Sequence, residues 1–284
     1  LSLFDGVSAG RLALERAGIH VTKYYASEID KYAIKISQKN WSDIVQLGDV
    51  ENWREWDLEK PDLILSGSPC QGFSFAGKQL NFDDPRSKLF FTMTDIIKHY
   101  EPTFSFLENV RMKKEYQDVI SETLGAEPVE INSALVSAQS RKRLYWANWD
   151  FGKPKDKGLL LKDILEENTG RKYFPEGFTI LRDDATSKNP LRVGQYGNGG
   201  QAERIYSRLG KSVTLSSLGG GRGGNTGLYL DINGRVFKPS PIECERLQTF
   251  PDGYTEGVSN TQRYKMLGNS WTVAVIEHIF RNMK

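Results

Sequence analysis

Reactive side chains lie next to short apolar runs at three places in this sequence. Cys70 lies on a turn containing Gly and Pro after the first run, and Glu108 directly follows the second. Arg141 and Arg143 precede the third. A thiolate near positive charge is a strong nucleophile, and a carboxyl group can bind and polarise its target. This combination predicts nucleophilic catalysis.

Each of these residues also has an ordinary structural explanation. A single cysteine is most often buried in a core, a glutamate before a helix can cap it, and arginines on an edge strand are usually solvated. We favour catalysis because the groups occur together, at the ends of successive apolar runs. Arg141 and Arg143 alternate along a predicted strand, so we expect both side chains on one face.

The first half of the chain alternates apolar runs with amphipathic stretches. This alternation predicts a parallel sheet covered by helices on both faces, with ligands at the carboxyl ends of the strands. Gly6, Glu28, Cys70 and Glu108 fall at such ends. The predicted strands are 1–4, 21–26, 63–65 and 104–107, and the predicted helices are 9–17, 31–39, 87–100 and 273–280.

A nucleoside site is predicted at the ends of the first strands. Residues 4–10 form a turn that opens a helix, where free N–H groups can meet a ligand. The spacing is not G-x-G-x-x-G, so a plain strand-to-helix turn is an equal alternative. Glu28 is placed to accept both hydroxyls of a ribose. Asp49, at the end of an expected third strand, is placed to meet an adenine amino group.

Composition limits the classes of protein to consider. The 284 residues suit one large α/β domain plus a smaller part, and the net charge of +2 neither demands nor excludes a polyanionic partner. Cys70 and Cys244 are the only cysteines, so we expect neither a disulfide framework nor a metal-dependent mechanism. We expect a cytoplasmic protein, because no membrane-length apolar stretch or signal peptide is present. Leu1 is not a methionine, and we expect residues upstream of it.

The character of the sequence changes near residue 150. We predict one domain over 1–150, a small irregular strand-rich domain over 151–239, and a segment over 240–284 that returns to the first domain. Glycine runs lie in the middle part, beside the β-like pieces 212–215 and 228–230. An isolated glycine run is by default a flexible linker, and the flanking β-like pieces argue against that.

The motifs, in their order along the chain, resemble those of the DNA cytosine-5 methyltransferases. The matching stretches are 4–6, 49–50, 66–71, 108–110, 139–143 and 268–271. The resemblance spans the whole chain and implies an α/β fold: a Rossmann-like, S-adenosylmethionine-dependent methyltransferase sheet with a target-recognition domain over 151–239. It implies methyl transfer to C5 of a flipped-out cytosine through a covalent Cys70–C6 adduct. Glu108 would bind N3 and the exocyclic amine of that base, and Arg141 and Arg143 would complete the catalytic group.

The resemblance also implies the cofactor, S-adenosylmethionine, the product S-adenosylhomocysteine, and no metal. Trp271, Ser68 and the pair 137–138 differ from the common bacterial pattern and are similar to animal de novo methyltransferases, so a weak homo-oligomer is open beside a monomer. The residues implied to bind the cofactor are Phe4, Asp5, Gly6, Ser8, Ala9, Glu28, Ile29, Asp49, Val50, Pro69, Leu89, Asn269, Ser270 and Trp271.

Residues 194–230 resemble the target-recognition domain of bacterial modification enzymes, chiefly through 199–207 and 214–215. The stretch 71–88 is unlike a helix and predicts a loop that closes over the flipped base; a passive surface loop is the alternative. The residues predicted to contact DNA are Gln71, Ser74, Lys78, Arg86, Gln201, Arg204, Thr214 and Arg222.

Double-stranded DNA is the expected partner, and a cognate restriction endonuclease would be a second. Three alternatives remain: an RNA methyltransferase on the same fold, a catalytically silent DNA-binding relative, and a nicotinamide oxidoreductase. The recognition region argues against the first, and Cys70, Glu108 and Glu28 argue against the second. The missing glycine fingerprint argues against the third.

Overall fold

The computed structural model describes residues 1–67, 85–167 and 171–283, with side chains described from residue 88 in the second range. The chain divides into two compact units. Unit 1 comprises Leu1–Ile131, Lys142–Lys153 and Glu277–Lys284, and unit 2 comprises Asn132–Arg141 and Pro154–Ile276. Residues 132–141 and 240–276 belong to unit 2, whereas the sequence assigned them to the first domain and to the segment that returns to it. The predicted domain boundaries stay a prediction.

Unit 1 is built on a largely parallel sheet. Its strands are β1 (Ser2–Leu3), β2 (Tyr25–Ser27), β3 (Val45–Gln46), β4 (Leu63–Ser66), β5 (Phe104–Val110), β6 (Val129–Asn132) and β7 (Lys142–Ala147). Its helices are α1 (Ala9–Arg16), α2 (Lys31–Asn40), α3 (Pro85–Tyr100) and α4 (Lys114–Leu124). The strand order is β3-β2-β1-β4-β5-β7-β6. The first five strands in that order are parallel, and β7 runs antiparallel to β5.

Apolar burial explains why these short strands hold together. Leu3, Ile64 and Trp146 are fully buried and belong to one core cluster together with Phe90 of α3. Strands buried on both faces by crossover helices consist of nearly continuous apolar runs, as β1 and β4 do. The helix α2 begins where it does because the Asp30 carboxylate accepts a hydrogen bond from the Tyr32 N–H at 2.9 Å.

Unit 2 contains a second sheet. Its strands are β8 (Lys172–Phe174), β9 (Phe178–Ile180), β10 (Arg192–Tyr196), β11 (Arg204–Ser207), β12 (Leu228–Leu230) and β13 (Val236–Lys238), in the order β8-β13-β12-β11-β10-β9. The pairs are antiparallel except β11 with β12. Two helices of unit 2 follow, α5 (Pro241–Leu247) and α6 (Asn260–Asn269). The last helix, α7 (Val273–Phe280), begins in unit 2 and ends in unit 1. A small core of Val193, Tyr196, Ile205, Leu228 and Val236 supports the sheet.

The α/β fold and most predicted elements are confirmed, and two local predictions are wrong. Within the described range 171–283, residues 212–215 form no strand; Ser212 makes an isolated bridge to Gln139 instead. Arg141 also does not lie on a strand with Arg143, because β7 begins at Lys142. None of the helices in the described ranges is long and apolar enough to cross a membrane.

Candidate active site

The carboxyl ends of β4 and β5 lie side by side. Ser66, the last residue of β4, pairs in register with Leu107 of β5, and Glu108 is the next residue along β5. The chain continues from Ser66 towards Cys70. The predicted site residues Pro69, Cys70, Gln71, Ser74 and Lys78 lie outside the described residues, as does the side chain of Arg86.

Glu108 is held by an arginine on the neighbouring antiparallel strand. In the register of β5 with β7, Glu108 faces Tyr145, which places Arg143 at the diagonal position. Arg143 Nε lies 3.0 Å from Glu108 Oε1, and the two side chains are only 15% and 12% exposed. Because a guanidinium is planar and its donors are fixed, this pair orients the carboxylate.

Arg141 has different partners from Arg143. Its side chain is buried, and its guanidinium donates to the carbonyl oxygens of Leu215 at 3.1 Å, Gly268 at 3.2 Å and Ser270 at 3.1 Å. All of these residues belong to unit 2. Arg141 therefore connects Leu215, which precedes the glycine run 219–224, to the 268–271 motif. The sequence did not predict this role.

Glu28 directly follows β2 and is fixed by backbone groups. Its carboxylate accepts hydrogen bonds from the N–H groups of Gly6, Ile29 and Asp30, each at 2.8 Å. An ionised carboxylate has about four acceptor positions, so this one can accept a further hydrogen bond from a ligand hydroxyl. Ile29 beside it is 73% exposed, so its apolar side chain is accessible for contact with a flat ring.

The turn between β1 and α1 is shaped from inside by Asp5. Its buried carboxylate accepts hydrogen bonds from the hydroxyls of Ser8 and Tyr24, and burial raises its pKa. Phe4, Gly6 and Ser8 all have φ near +60°, an uncommon conformation for Phe and Ser. The buried residues Asp5, Ser8 and Ala9 thus set the path of this turn, whereas Phe4 and Gly6 are partly exposed.

Asp49 and two apolar neighbours occupy the next part of the predicted cofactor site. Asp49 is exposed and accepts a hydrogen bond from the Glu51 N–H at 2.9 Å, so it caps the short 3-10 helix Val50–Glu55. Val50 is 4% exposed and packs in the core of unit 1, and Leu89 packs partly against the same cluster. β3 ends at Gln46, before the predicted position beside Asp49.

The 268–271 motif contains an unusual hydroxyl group. Ser270 Oγ is buried and finds no hydrogen-bond partner among the described residues. Buried hydroxyls are normally satisfied, so this atom is a candidate to meet a bound ligand. Asn269 is exposed and Trp271 is half-buried.

The predicted DNA-contacting residues of unit 2 lie on its irregular segments. Gln201 is exposed at the start of a 3-10 helix, and Arg204 Nε donates to Gly199 O at 3.3 Å. Thr214 is exposed, and its hydroxyl donates to Ser140 O at 2.6 Å. Glu203, whose Oε1 lies 3.3 Å from Arg222 Nη1, was not identified from the sequence. In the sequence Glu203 stands next to Arg204, and nothing in the sequence indicates that it pairs with Arg222 instead.

Cys244, the other cysteine, is unsuited to nucleophilic chemistry. It is fully buried in α5, and burial raises its pKa far above the ordinary range of a thiol. A thiol that stays protonated is a poor nucleophile. Cys70 is then the remaining thiol of the sequence.

Comparison with known proteins gives the family. The model of the C-5 cytosine-specific DNA methylases matches residues 1–284. The chain belongs to this family. As a DNA cytosine-5 methyltransferase it is 32% identical to the Type II methyltransferase M.HhaI of Haemophilus parahaemolyticus, over 100% of this chain and 93% of that protein. It is 31% identical to the Type II methyltransferase M.HpaII of Haemophilus parainfluenzae, over 98% and 86%.

Solved structures share the fold of this methyltransferase. The Entamoeba histolytica methyltransferase EhMeth superposes with a TM-score of 0.74 at 18% identity, covering 99% of this chain and 96% of that one. A DNA modification methyltransferase encoded in an E. coli prophage gives a TM-score of 0.68 at 20% identity, covering 99% and 97%. At these identities the likeness concerns the fold.

Proposed function

We propose that this methyltransferase acts through a covalent bond between Cys70 and its cytosine. The Cys70 thiolate adds to C6 of a cytosine flipped out of duplex DNA, which makes C5 nucleophilic. After C5 is methylated, loss of the C5 proton and cleavage of the S–C6 bond restore the ring and the free thiolate. The family's cofactor, S-adenosylmethionine, supplies the methyl group as a sulfonium when bound.

The observation that carries this proposal is the Glu108–Arg143 pair. Its carboxylate lies on β5, one residue past the partner of Ser66, which is the end of β4 from which the chain runs to Cys70. The Glu108 carboxyl group is proposed to bind N3 and the exocyclic amine of cytosine, a pattern of groups that thymine lacks. Arg143 orients that carboxyl group. Arg141 acts in this scheme through the backbone that it holds, as a positioning residue.

The cofactor is proposed to bind at the carboxyl ends of β1 and β2. Glu28 accepts the ribose hydroxyls, Ile29 contacts the adenine ring, and Asp49 meets the adenine amino group. The spare acceptor capacity of Glu28 and the exposure of Ile29 support this assignment. The orphaned Ser270 hydroxyl supports a role for the 268–271 motif. The remaining contacts expected from the family are Phe4, Gly6, Pro69, Leu89, Asn269 and Trp271.

Residues 85–88 of the predicted loop belong to helix α3, so only residues 71–84, which lie outside the described residues, are proposed to close over the flipped base. Unit 2 is proposed to read the sequence, with Gln201, Arg204, Thr214 and Arg222 among its contacts. Bacterial and phage relatives favour a bacterial or phage-infected cell as the setting, with or without a cognate endonuclease. The protein is proposed to act as a monomer or a weak homo-oligomer.

The decisive variant is Cys70→Ala, measured by bisulfite sequencing of DNA from expressing cells. Methylated cytosines in one short sequence context should disappear, while the affinity for S-adenosylmethionine in calorimetry stays near that of the wild type. Cys244→Ala is the matched control: it removes the other thiol and should leave methylation in place. Persistent methylation in the Cys70 variant would rule out the covalent scheme.

Glu108→Gln tests the carboxyl group separately. The amide keeps the size of the side chain and can still donate and accept hydrogen bonds, but it cannot transfer a proton to N3 as the thiolate adds, so we expect methyl transfer to fall by about 10²–10⁴-fold. Glu28→Gln should instead weaken cofactor binding, measured by calorimetry. If the two variants affected cofactor affinity equally, the separation of the base and cofactor sites would be wrong.

A further inference from the structure

The second glycine run of unit 2, residues 219–224, is held in one shape by close backbone contacts. We call residues 216–224 the glycine loop. A Cβ built on Gly219 would overlap the carbonyl oxygen of Gly224, and one on Gly224 would overlap that of Gly220. Ser216 and Asn225 close the base of the loop with a backbone hydrogen bond of 2.9 Å. Since backbone contacts backbone so closely, the loop has a defined shape and is no flexible linker.

The glycine loop packs on the segment that carries the predicted DNA contacts. We call residues 197–204 the recognition turn. The Gly223 N–H donates to Ala202 O at 2.9 Å, and a Cβ on Gly221 would lie 3.0 Å from the Ala202 Cβ. Arg222, between these two glycines, is therefore placed on the same surface as Gln201 and Arg204 of the recognition turn.

The Arg222 guanidinium is held on two sides. Its Nη1 lies 3.3 Å from Glu203 Oε1, and its Cζ lies 4.7 Å from the centre of the Tyr196 ring. Tyr196 is itself fixed, because it is 4% exposed and its hydroxyl donates to Pro175 O at 2.6 Å. The Arg222 side chain nevertheless remains 46% exposed. Stacking and pairing thus pre-orient a guanidinium that still has free donors.

We propose that Arg222 reads a guanine in the recognition sequence, with Glu203 and Tyr196 as positioning residues. The inference rests on the proposed function of unit 2. A guanidinium in a fixed plane matches O6 and N7 of guanine in the major groove, the commonest specific contact to DNA. Glu203 opposes the alternative of a phosphate contact, because a carboxylate 3.3 Å away cancels the charge that attracts phosphate. The guanine edge is uncharged, so the guanidinium donors of Arg222 that do not face Glu203 are sufficient to bind it.

The test is methylation of a pool of DNA duplexes in which the positions flanking one cytosine are randomised, read by bisulfite sequencing. Wild type should require guanine at one or more of the flanking positions. Arg222→Ala and Arg222→Lys should lose the preference for guanine at one position by roughly ten- to a hundredfold and keep the other preferences. Glu203→Gln should relax the same position to a smaller extent.

Arg235→Ala is the matched control. Arg235 is also an exposed arginine of unit 2, paired with Asp231 at 3.0 Å and lying 4.2 Å from the ring of Tyr173. Its removal should leave the sequence preference unchanged. If Arg222→Ala does not fold, Arg222→Lys decides, because it keeps the positive charge but loses the planar pair of donors.

Two results overturn the inference. An equal loss of rate at every member of the pool, with an unchanged melting temperature and unchanged preferences, assigns Arg222 to a phosphate. A wild-type preference that includes no guanine also overturns it. If the wild type methylated no member of the pool, the proposed function itself would fail, which is a distinguishable outcome.

Discussion

Two arginines separated by one residue perform different tasks in this molecule. Arg143 contacts the candidate catalytic carboxylate Glu108, and Arg141 contacts backbone carbonyl groups at the base of the glycine loop and in the 268–271 motif. The partners of Arg141 lie 74, 127 and 129 residues away in sequence. Nothing local to the Gln-x-Arg-x-Arg pattern distinguishes the two side chains, so only the folded chain separates their roles.

We expect Arg141→Ala to cost about 3 kcal/mol or more of unfolding free energy, because the buried carbonyl groups lose charge-assisted hydrogen bonds. Arg143→Ala should cost less stability and reduce methyl transfer in the remaining folded protein, because Glu108 loses its orientation. Urea unfolding and the value of kcat/KM, measured on both variants, check this. Equal destabilisation with equal activity loss would contradict the distinction.

At the scale of elements, the parallel sheet was predictable because β1, β4 and β5 coincide with short apolar runs of the sequence. The strand β6 was not predicted, because Glu130 and Asn132 interrupt its apolar residues. The helix α2 was predictable to within a residue, since Asp30 caps it and its apolar spacing is helical. The predicted strand 212–215 failed for a different reason. Ser212 bonds to Ala138 and Ser140, and the Leu215 N–H donates to the Gln139 side chain. These hydrogen bonds to residues distant in sequence take the place of the regular backbone pairing that a β-strand makes with its neighbour.

The glycine loop gives a prediction for one element. Gly224→Ala places a methyl group against the Gly220 carbonyl and should destabilise the protein by about 1–3 kcal/mol, with loss of sequence-specific methylation. Gly220→Ala is the control within the same loop, because among the described residues no atom other than those of its chain neighbours lies within 4 Å of the place its Cβ would take. Thermal unfolding and the duplex-pool assay measure both effects. Equal tolerance of the two substitutions would show that the loop rearranges freely.

At the scale of the whole molecule, charge is divided between the units. Unit 2 contains 18 basic and 13 acidic residues, and unit 1 contains 20 basic and 23 acidic residues. The small net charge of the chain is therefore the sum of a net positive charge on unit 2 and a smaller net negative charge on unit 1. Because polyanions bind through local excess of positive charge, unit 2 is the part from which DNA attraction is expected.

Neutralising two exposed basic residues of unit 2, Arg182 and Lys188, should weaken DNA binding at low salt. For each phosphate that is no longer neutralised, the slope of log K against log salt should become shallower by about 0.9. The control pair is Lys60 and Lys98, which are exposed residues of unit 1 and should have little effect. Fluorescence anisotropy with one labelled duplex over a salt series makes the comparison. A larger change in the salt slope from the unit 1 pair would contradict the assignment of DNA attraction to unit 2.

The close backbone packing of Gly219 and Gly224 also has an evolutionary consequence. These two positions cannot accept a side chain without moving the loop, whereas Leu218 is 79% exposed and Arg222 points partly to solvent. If Arg222 reads the target as proposed, we expect target preference to change by substitution at positions 218 and 222 while the glycine loop keeps its shape. A library randomised at those two codons is the direct way to look for a variant of this methyltransferase with a different recognition sequence.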